Sequence, residues 1–145
     1  MIIIAMIWLL LFIVFRFRIL GIGIFSGNLQ YGGFLLIIVG IVLREWSIWV
    51  LGKHFTVQVQ IREKAKLVKH GPYKYIRHPS YTGGILSLIG ITLSIGTWFR
   101  ALVAFVISLI GYQYRISIEE KVLQAAFGTE YEEYKNGTWK LFPGF

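Results

Sequence analysis

The chain opens on an unbroken apolar run, residues 1–15, that stops at Arg16 and Arg18. At 1.5 Å per residue this run covers about 22 Å as a helix, short of a hydrocarbon core of ~30 Å. A first span is therefore expected over residues 1–25, with both arginines snorkelling or facing other helices. A secretory leader is not expected, because no positive charge precedes the run and no small-residue cleavage pattern follows it. Turn residues cluster from Ser26 to Gly33. A second span is predicted over 31–51, interrupted near its end by Arg44, Glu45 and Trp46. The third runs over 81–95 and the fourth over 101–114, with 96–100 long enough only for a tight hairpin. Both are short, which predicts a helical hairpin that crosses with little tilt or sits in thinned bilayer.

Between spans two and three lies a polar loop, 52–79, with seven Lys/Arg (53, 62, 64, 66, 69, 74, 77) against the single acid Glu63. The positive-inside rule makes this loop cytosolic, and four spans then put both termini in the cytoplasm. Arg16 and Arg18 pull the other way if the first span stops before them, but they are two charges against seven. The segment 115–145 contains a further helical pattern from Ser117 to Tyr134, where Val122, Leu123, Ala126, Phe127 and Tyr131 form one apolar stripe. Gly128 weakens that helix and can break it, and Asn136-Gly137 supplies a stop. No internal repeat interrupts what reads as one membrane-embedded domain over 1–145.

Composition sharpens this reading. Of 145 residues 56% are apolar and 15% charged, against roughly 25% charged in soluble domains. A disordered segment and a soluble module are both set aside, since so short a chain cannot bury that much apolar surface in water. With no cysteine there is no disulfide, thiolate metal site or cysteine nucleophile, and three scattered histidines give no expectation of a metal. The net charge of +8 is assigned to anionic lipid headgroups or an anionic ligand, not to nucleic acid. The fold class is all-α integral membrane: about four transmembrane helices, a cytosolic loop and a C-terminal amphipathic helix.

Three polar clusters are placed where polar residues are expensive. The first runs from Gly71 through Arg77-His78-Pro79-Ser80-Tyr81 to Gly84. Pro79 holds His78 out of the helical region and suits a first helical turn, so backbone N–H groups there face the loop and can bind an anion. A plain basic and aromatic belt at a headgroup boundary explains the same residues. The second is Arg115 with Glu119 and Glu120. On a continuous helix Arg115 and Glu119 share a face, ready for an anionic and a cationic group or merely paired with each other. Alternatively Ser117 and Glu120 form a capping box that starts a new helix. Local rules do not separate these two. The third, Phe127 to Lys135, reads in isolation as an amphipathic helix on the membrane surface with its aromatics down.

In this order the clusters resemble the isoprenylcysteine carboxyl methyltransferase family, within the wider group that includes phospholipid methyltransferases. The likeness rests on residues 67–83, on Glu119-Glu120 with Leu123, on 127–134 and on 51–56, and covers about 44–143. Arg-His-Pro alone also occurs in membrane sterol reductases; Glu-Glu and Phe-Gly-x-Glu-Tyr favour the methyltransferase branch. The resemblance implies an integral membrane enzyme that binds S-adenosyl-L-methionine at the cytosolic side. Carried over by position, Gln58, Lys66, Leu67, Val68, Tyr73, His78, Pro79, Ser80, Tyr81 and Glu119 contact the cofactor, and Arg115 meets the acceptor's carboxylate. The chain lacks the longer N-terminal part of eukaryotic members, and nothing in it identifies an isoprenyl-cysteine acceptor.

The expected reaction is methyl transfer to a lipophilic acceptor entering from the bilayer, most simply a carboxylate of prenylcysteine type. A carboxylate is already ionised at neutral pH and needs no base; a phenol, enol or amine would call on His54 or His78. Two rivals stand beside this reading. One is a membrane reductase using NADPH, and the other is a small scaffold whose basic loop binds anionic lipid. The acceptor's identity and the oligomeric state are not written in the sequence.

Overall fold

The computed structural model describes residues 28–52, 67–94 and 98–144. The predicted first span and the larger part of the basic loop, with Gln58, Lys66 and His54, lie outside the described residues. Helix α1 spans Asn28–Leu51, α2 Pro79–Ser94, α3 Trp98–Phe127 and α4 Thr129–Asn136, with a 3-10 turn at Gly71–Lys74. Among the described residues there are no strands, only a parallel bridge between Ile76 and Trp139. Two stretches, Gln30–Leu51 and Ala101–Phe127, are long and apolar enough to cross a membrane.

The helices follow from their sequence. α1 is apolar on nearly all sides, and Tyr31, Leu35, Ile38, Val42 and Trp49 are exposed along it, as expected of a helix whose solvent is lipid. Pro79 opens α2, where its missing N–H is no loss and its φ suits a helix. Hydroxyls inside the helices are satisfied locally. Ser47, Thr92 and Ser108 donate to Leu43, Leu88 and Ala104 carbonyls one turn back.

α3 is longer than the fourth span expected over 101–114. Its thirty residues run on to Phe127 and include Arg115, Glu119 and Glu120. Trp98–Arg100, assigned from sequence to the hairpin, already belong to this helix. Ser117 does not cap a new helix: its hydroxyl donates to the Tyr114 carbonyl at 2.7 Å. The capping-box alternative falls, and Arg115 and Glu119 do share a face. The predicted helix over 117–134 is divided at Gly128, whose φ of +51° lies in the region that side chains disfavour. α4 then begins, and Gly137 ends it.

Chain contacts divide the protein into two units. In the first, whose described residues are 28–41, 84–94 and 98–112, α1 and α2 meet backbone to backbone. A Cβ on Gly33 would lie 2.7 Å from the Gly90 carbonyl oxygen, and one on Gly90 would lie 2.6 Å from that of Gly33. Ala104 is fully buried there, with Leu88 and Ile107 packed on it. The second unit, described over 42–52, 67–83 and 113–144, holds the three polar clusters except Gly84.

In that unit residues 138–141 lie along 75–82 as a strap. The Trp139 N–H donates to the Tyr75 carbonyl, Arg77 N–H to Trp139 and His78 N–H to Lys140. The buried Thr82 hydroxyl donates to the Leu141 carbonyl at 2.6 Å. The aromatic face of α4 is likewise turned to protein and not to a membrane surface. Tyr131 is 1% exposed, and the Tyr134 hydroxyl donates to the Tyr73 carbonyl at 2.6 Å.

Candidate functional site

The polar clusters meet around the start of α2. Tyr81, on its first turn, donates its hydroxyl to Glu119 Oε1. Arg115, one helical turn before Glu119 on α3, directs Nε and Nη2 at the same oxygen from 3.3 and 3.2 Å. His78 is 7% exposed and stacks on Tyr81, with ring centroids 5.8 Å apart. Its Nδ1 is 3.8 Å from Glu119 Oε2, and its Nε2 is 3.4 Å from Glu120 Oε1. The second approach is not aligned as a hydrogen bond, so among the described residues Nε2 is a buried polar atom without a partner. The imidazole therefore has a carboxylate of α3 near each ring nitrogen.

Arg77 fixes this arrangement from behind. Its Nε donates to Glu120 Oε1 at 3.0 Å, and Nη1 reaches the Lys135 carbonyl at 2.8 Å and the Thr138 carbonyl. The guanidinium thus joins the segment before α2 to the later part of α3, the end of α4 and the strap. Arg44, on α1, reaches the same place from another side, with Nη1 donating to the Ser80 carbonyl at 3.3 Å.

The expected anion-binding capacity of the α2 start is smaller than a bare helix end would offer. Pro79 has no N–H, and those of Tyr81 and Thr82 are taken by the His78 carbonyl at 3.1 and 3.2 Å. The N–H of Ser80 is what the entrance has left to give. Beyond the apolar helices, burial pushes the Tyr73 hydroxyl above its ordinary pKa, with the Tyr134 and Glu119 charges adding to it. Burial does the same for Tyr134, reaching about 12 although Arg77 opposes it. These tyrosines stay neutral donors and acceptors at any physiological pH.

Of the residues singled out from sequence, His78, Pro79, Ser80, Tyr81, Arg115 and Glu119 converge. Tyr73 is buried in the 3-10 turn, close enough to Glu119 to feel its charge. Leu67 and Val68 lie half-buried on the approach to that turn. Sequence reasoning missed Arg77, Glu120 and Thr82 as supports, and the strap altogether. Arg77 and Glu120 stood inside the motifs already quoted. The strap acts chiefly through main-chain N–H and carbonyl groups, which leave no side-chain signature.

A family model described as phospholipid methyltransferase matches residues 29–130. Protein-S-isoprenylcysteine O-methyltransferase B of Arabidopsis thaliana is 36% identical over 104 residues, which is 70% of this chain and 53% of that protein. The protein-S-isoprenylcysteine O-methyltransferase of Saccharomyces cerevisiae is 34% identical over 106 residues, 72% of this chain and 44% of its own length. Among solved structures, a eukaryotic intramembrane Ras methyltransferase (isoprenylcysteine carboxyl methyltransferase) superposes with a TM-score of 0.75 at 31% identity. The match covers 80% of this chain and 42% of that one. The chain spans about half the length of the curated relatives it matches.

Proposed function

The chain belongs to the phospholipid methyltransferase family, in its isoprenylcysteine carboxyl methyltransferase group, and on that premise we propose that it transfers a methyl group from S-adenosylmethionine to the carboxylate of a lipophilic, prenylcysteine-type acceptor. One observation carries the proposal. Within a single unit, Tyr81 at the Pro79-led start of α2 is bonded to Glu119 of α3, and Arg115 is aimed at the same carboxylate. A carboxylate, a guanidinium and a helix start are thereby brought to one place. The proposal treats residues 1–145 as one membrane-embedded domain of four spans, with the basic loop, the site and both termini on the cytosolic side.

The residues fit such a cofactor. Glu119 offers a carboxylate to a cationic or ribose group, the Ser80 N–H offers a donor to a carboxylate, and buried His78 Nε2, beside Glu120, makes no hydrogen bond among the described residues. Tyr73, Pro79 and Tyr81 supply the apolar and aromatic walls, and Gln58, Lys66, Leu67 and Val68 are assigned to the same ligand by position. Bound S-adenosylmethionine supplies a methyl carbon on a sulfonium, and its loss leaves a neutral thioether. The protein's task is alignment and exclusion of water. Arg115 orients the acceptor carboxylate through its planar donor fork. Glu119 in turn holds Arg115 at the right height on α3, and no proton has to be removed from an ionised nucleophile.

The test uses the full chain in lipid nanodiscs with a methyl-labelled donor and an S-prenylated N-acetylcysteine, followed by mass spectrometry of the product. A methyl ester is expected. Absence of S-adenosylhomocysteine binding overturns the proposal. NADPH binding in its place would mark a reductase, and salt-sensitive affinity for anionic lipid alone would mark a scaffold.

A further inference from the structure

Three arginines have described side chains, and their partners differ in kind. Arg77 is held by Glu120, by the Lys135 carbonyl of α4 and by the Thr138 carbonyl of the strap. Arg115 is held by Glu119. Arg44 has no carboxylate partner among the described residues, and its hydrogen bond goes to the neutral Ser80 carbonyl. Glu45, next in sequence, is about 100° around the helix and exposed, so it does not face Arg44. The remaining described acids are engaged or distant in role: Glu130 pairs with Lys69 at 2.9 Å, and Glu132 and Glu133 are exposed on α4.

Arg44 is also set where a lone charge is costly. It lies seven residues inside the end of an apolar helix long enough to cross a membrane, about 10 Å from that end. Ile41, Val42 and Trp46 around it are exposed to whatever surrounds α1. An ionisable group in such a position is retained for a ligand or a partner. Its guanidinium has five N–H donors, and its hydrogen bond among the described residues points it at Ser80, between Pro79 and Tyr81.

We propose that Arg44 captures the carboxylate of the acceptor at the lipid-facing side of the α2 entrance, an inference that rests on the methyl-transfer reading above. Arg44 receives an oxyanion without breaking any ion pair among the described residues, whereas Arg115 is already shared with Glu119. Arg44 therefore captures the carboxylate and Arg115 orients it. The consequence is selectivity between substrate and product. Methylation removes the negative charge, so the ester loses its hold on Arg44 and the acid does not.

Arg44→Gln retains a donor for the Ser80 carbonyl but has no charge, and Arg44→Lys retains charge without the fork. Both are compared with the unmodified chain in nanodiscs, by titration with an S-farnesylated N-acetylcysteine, with its methyl ester and with S-adenosylhomocysteine. For Arg44→Gln the dissociation constant of the acid should rise by about ten- to a hundredfold, as for loss of a charge-assisted hydrogen bond. The ester and S-adenosylhomocysteine should change less than about twofold, and Arg44→Lys should recover part of the acid affinity. Equal weakening of acid and ester would make Arg44 a structural tie and overturn the proposal, as would an unchanged acid affinity. If the unmodified chain binds S-adenosylhomocysteine and the acid but Arg44→Gln fails this pattern, only the role of Arg44 falls. If it binds neither, the methyl-transfer reading falls with it.

Discussion

Arg77 and Glu120 stand forty-three residues apart in sequence and meet through a 3.0 Å hydrogen bond from Nε to Oε1, with neither side chain more than 13% exposed. The pair explains why an arginine beside the site points away from it. Its charge is used to fix α3 against the α2 entrance, which leaves His78 and Tyr81 to face Glu119.

Arg77→Ala should destabilise the protein by about 3–5 kcal/mol, because it strands a buried carboxylate and removes the donor from the Lys135 carbonyl in α4 and the Thr138 carbonyl in the strap. Denaturant unfolding in detergent micelles measures the loss. Limited proteolysis should show new cleavage within 137–144, where Arg77→Lys shows less.

Arg115→Ala is expected to lower kcat/KM for a carboxylate acceptor by roughly 10²-fold or more through lost orientation. Affinity for S-adenosylhomocysteine should stay nearly intact, since Tyr81 still donates to Glu119. Titration calorimetry beside the transfer assay separates the two effects. Equal loss of both would make Arg115 a cofactor residue.

Alkaline pH should loosen the packing of α4. Tyr134 ionises near pH 10 when unfolded and at about 12 when folded. Its contribution is therefore complete below pH 10 and is lost as pH climbs from 10 towards 12. Tyrosinate absorbance against pH, with and without Tyr134→Phe, follows the transition. The substitution should also cost about 1 kcal/mol through the hydrogen bond to the Tyr73 carbonyl.

Gly90→Ala should be poorly tolerated, since the added Cβ would meet the Gly33 carbonyl oxygen at 2.6 Å. Forcing α1 and α2 apart should lower stability by about 1–3 kcal/mol, read as a fall in the melting temperature. Gly32→Ala, with nothing within 4 Å of the added atom, is the matched control.

Ser117→Ala should change stability by no more than about 0.5 kcal/mol, because the exposed hydroxyl only bonds a carbonyl three residues back. A loss of 1 kcal/mol or more would restore Ser117 as a helix cap.

α1 was legible from sequence because twenty-odd residues with few charges leave little choice of structure. The entrance at Pro79 was equally plain, since proline imposes its own geometry and that of His78. The length of α3 was not. A capping box and a continuous helix satisfy local rules equally around Ser117. The choice is made by partners remote in sequence, Arg77 on Glu120 and Tyr81 on Glu119, that want both acids on one unbroken helix. The 127–134 motif reads from sequence as a membrane-surface helix for a similar reason: an amphipathic stripe shows that aromatics are covered, not by what. Here Tyr131 is covered by protein.

The strap sets an order on events during translation. Arg77 leaves the ribosome sixty-one residues before Thr138, whose carbonyl it must find. Until then the newly made guanidinium and its histidine neighbour have no strap to brace them, and the Pro79 end of α2 stays unlatched. The bracing of this helix start is thus acquired late, when the downstream residues fold back against it.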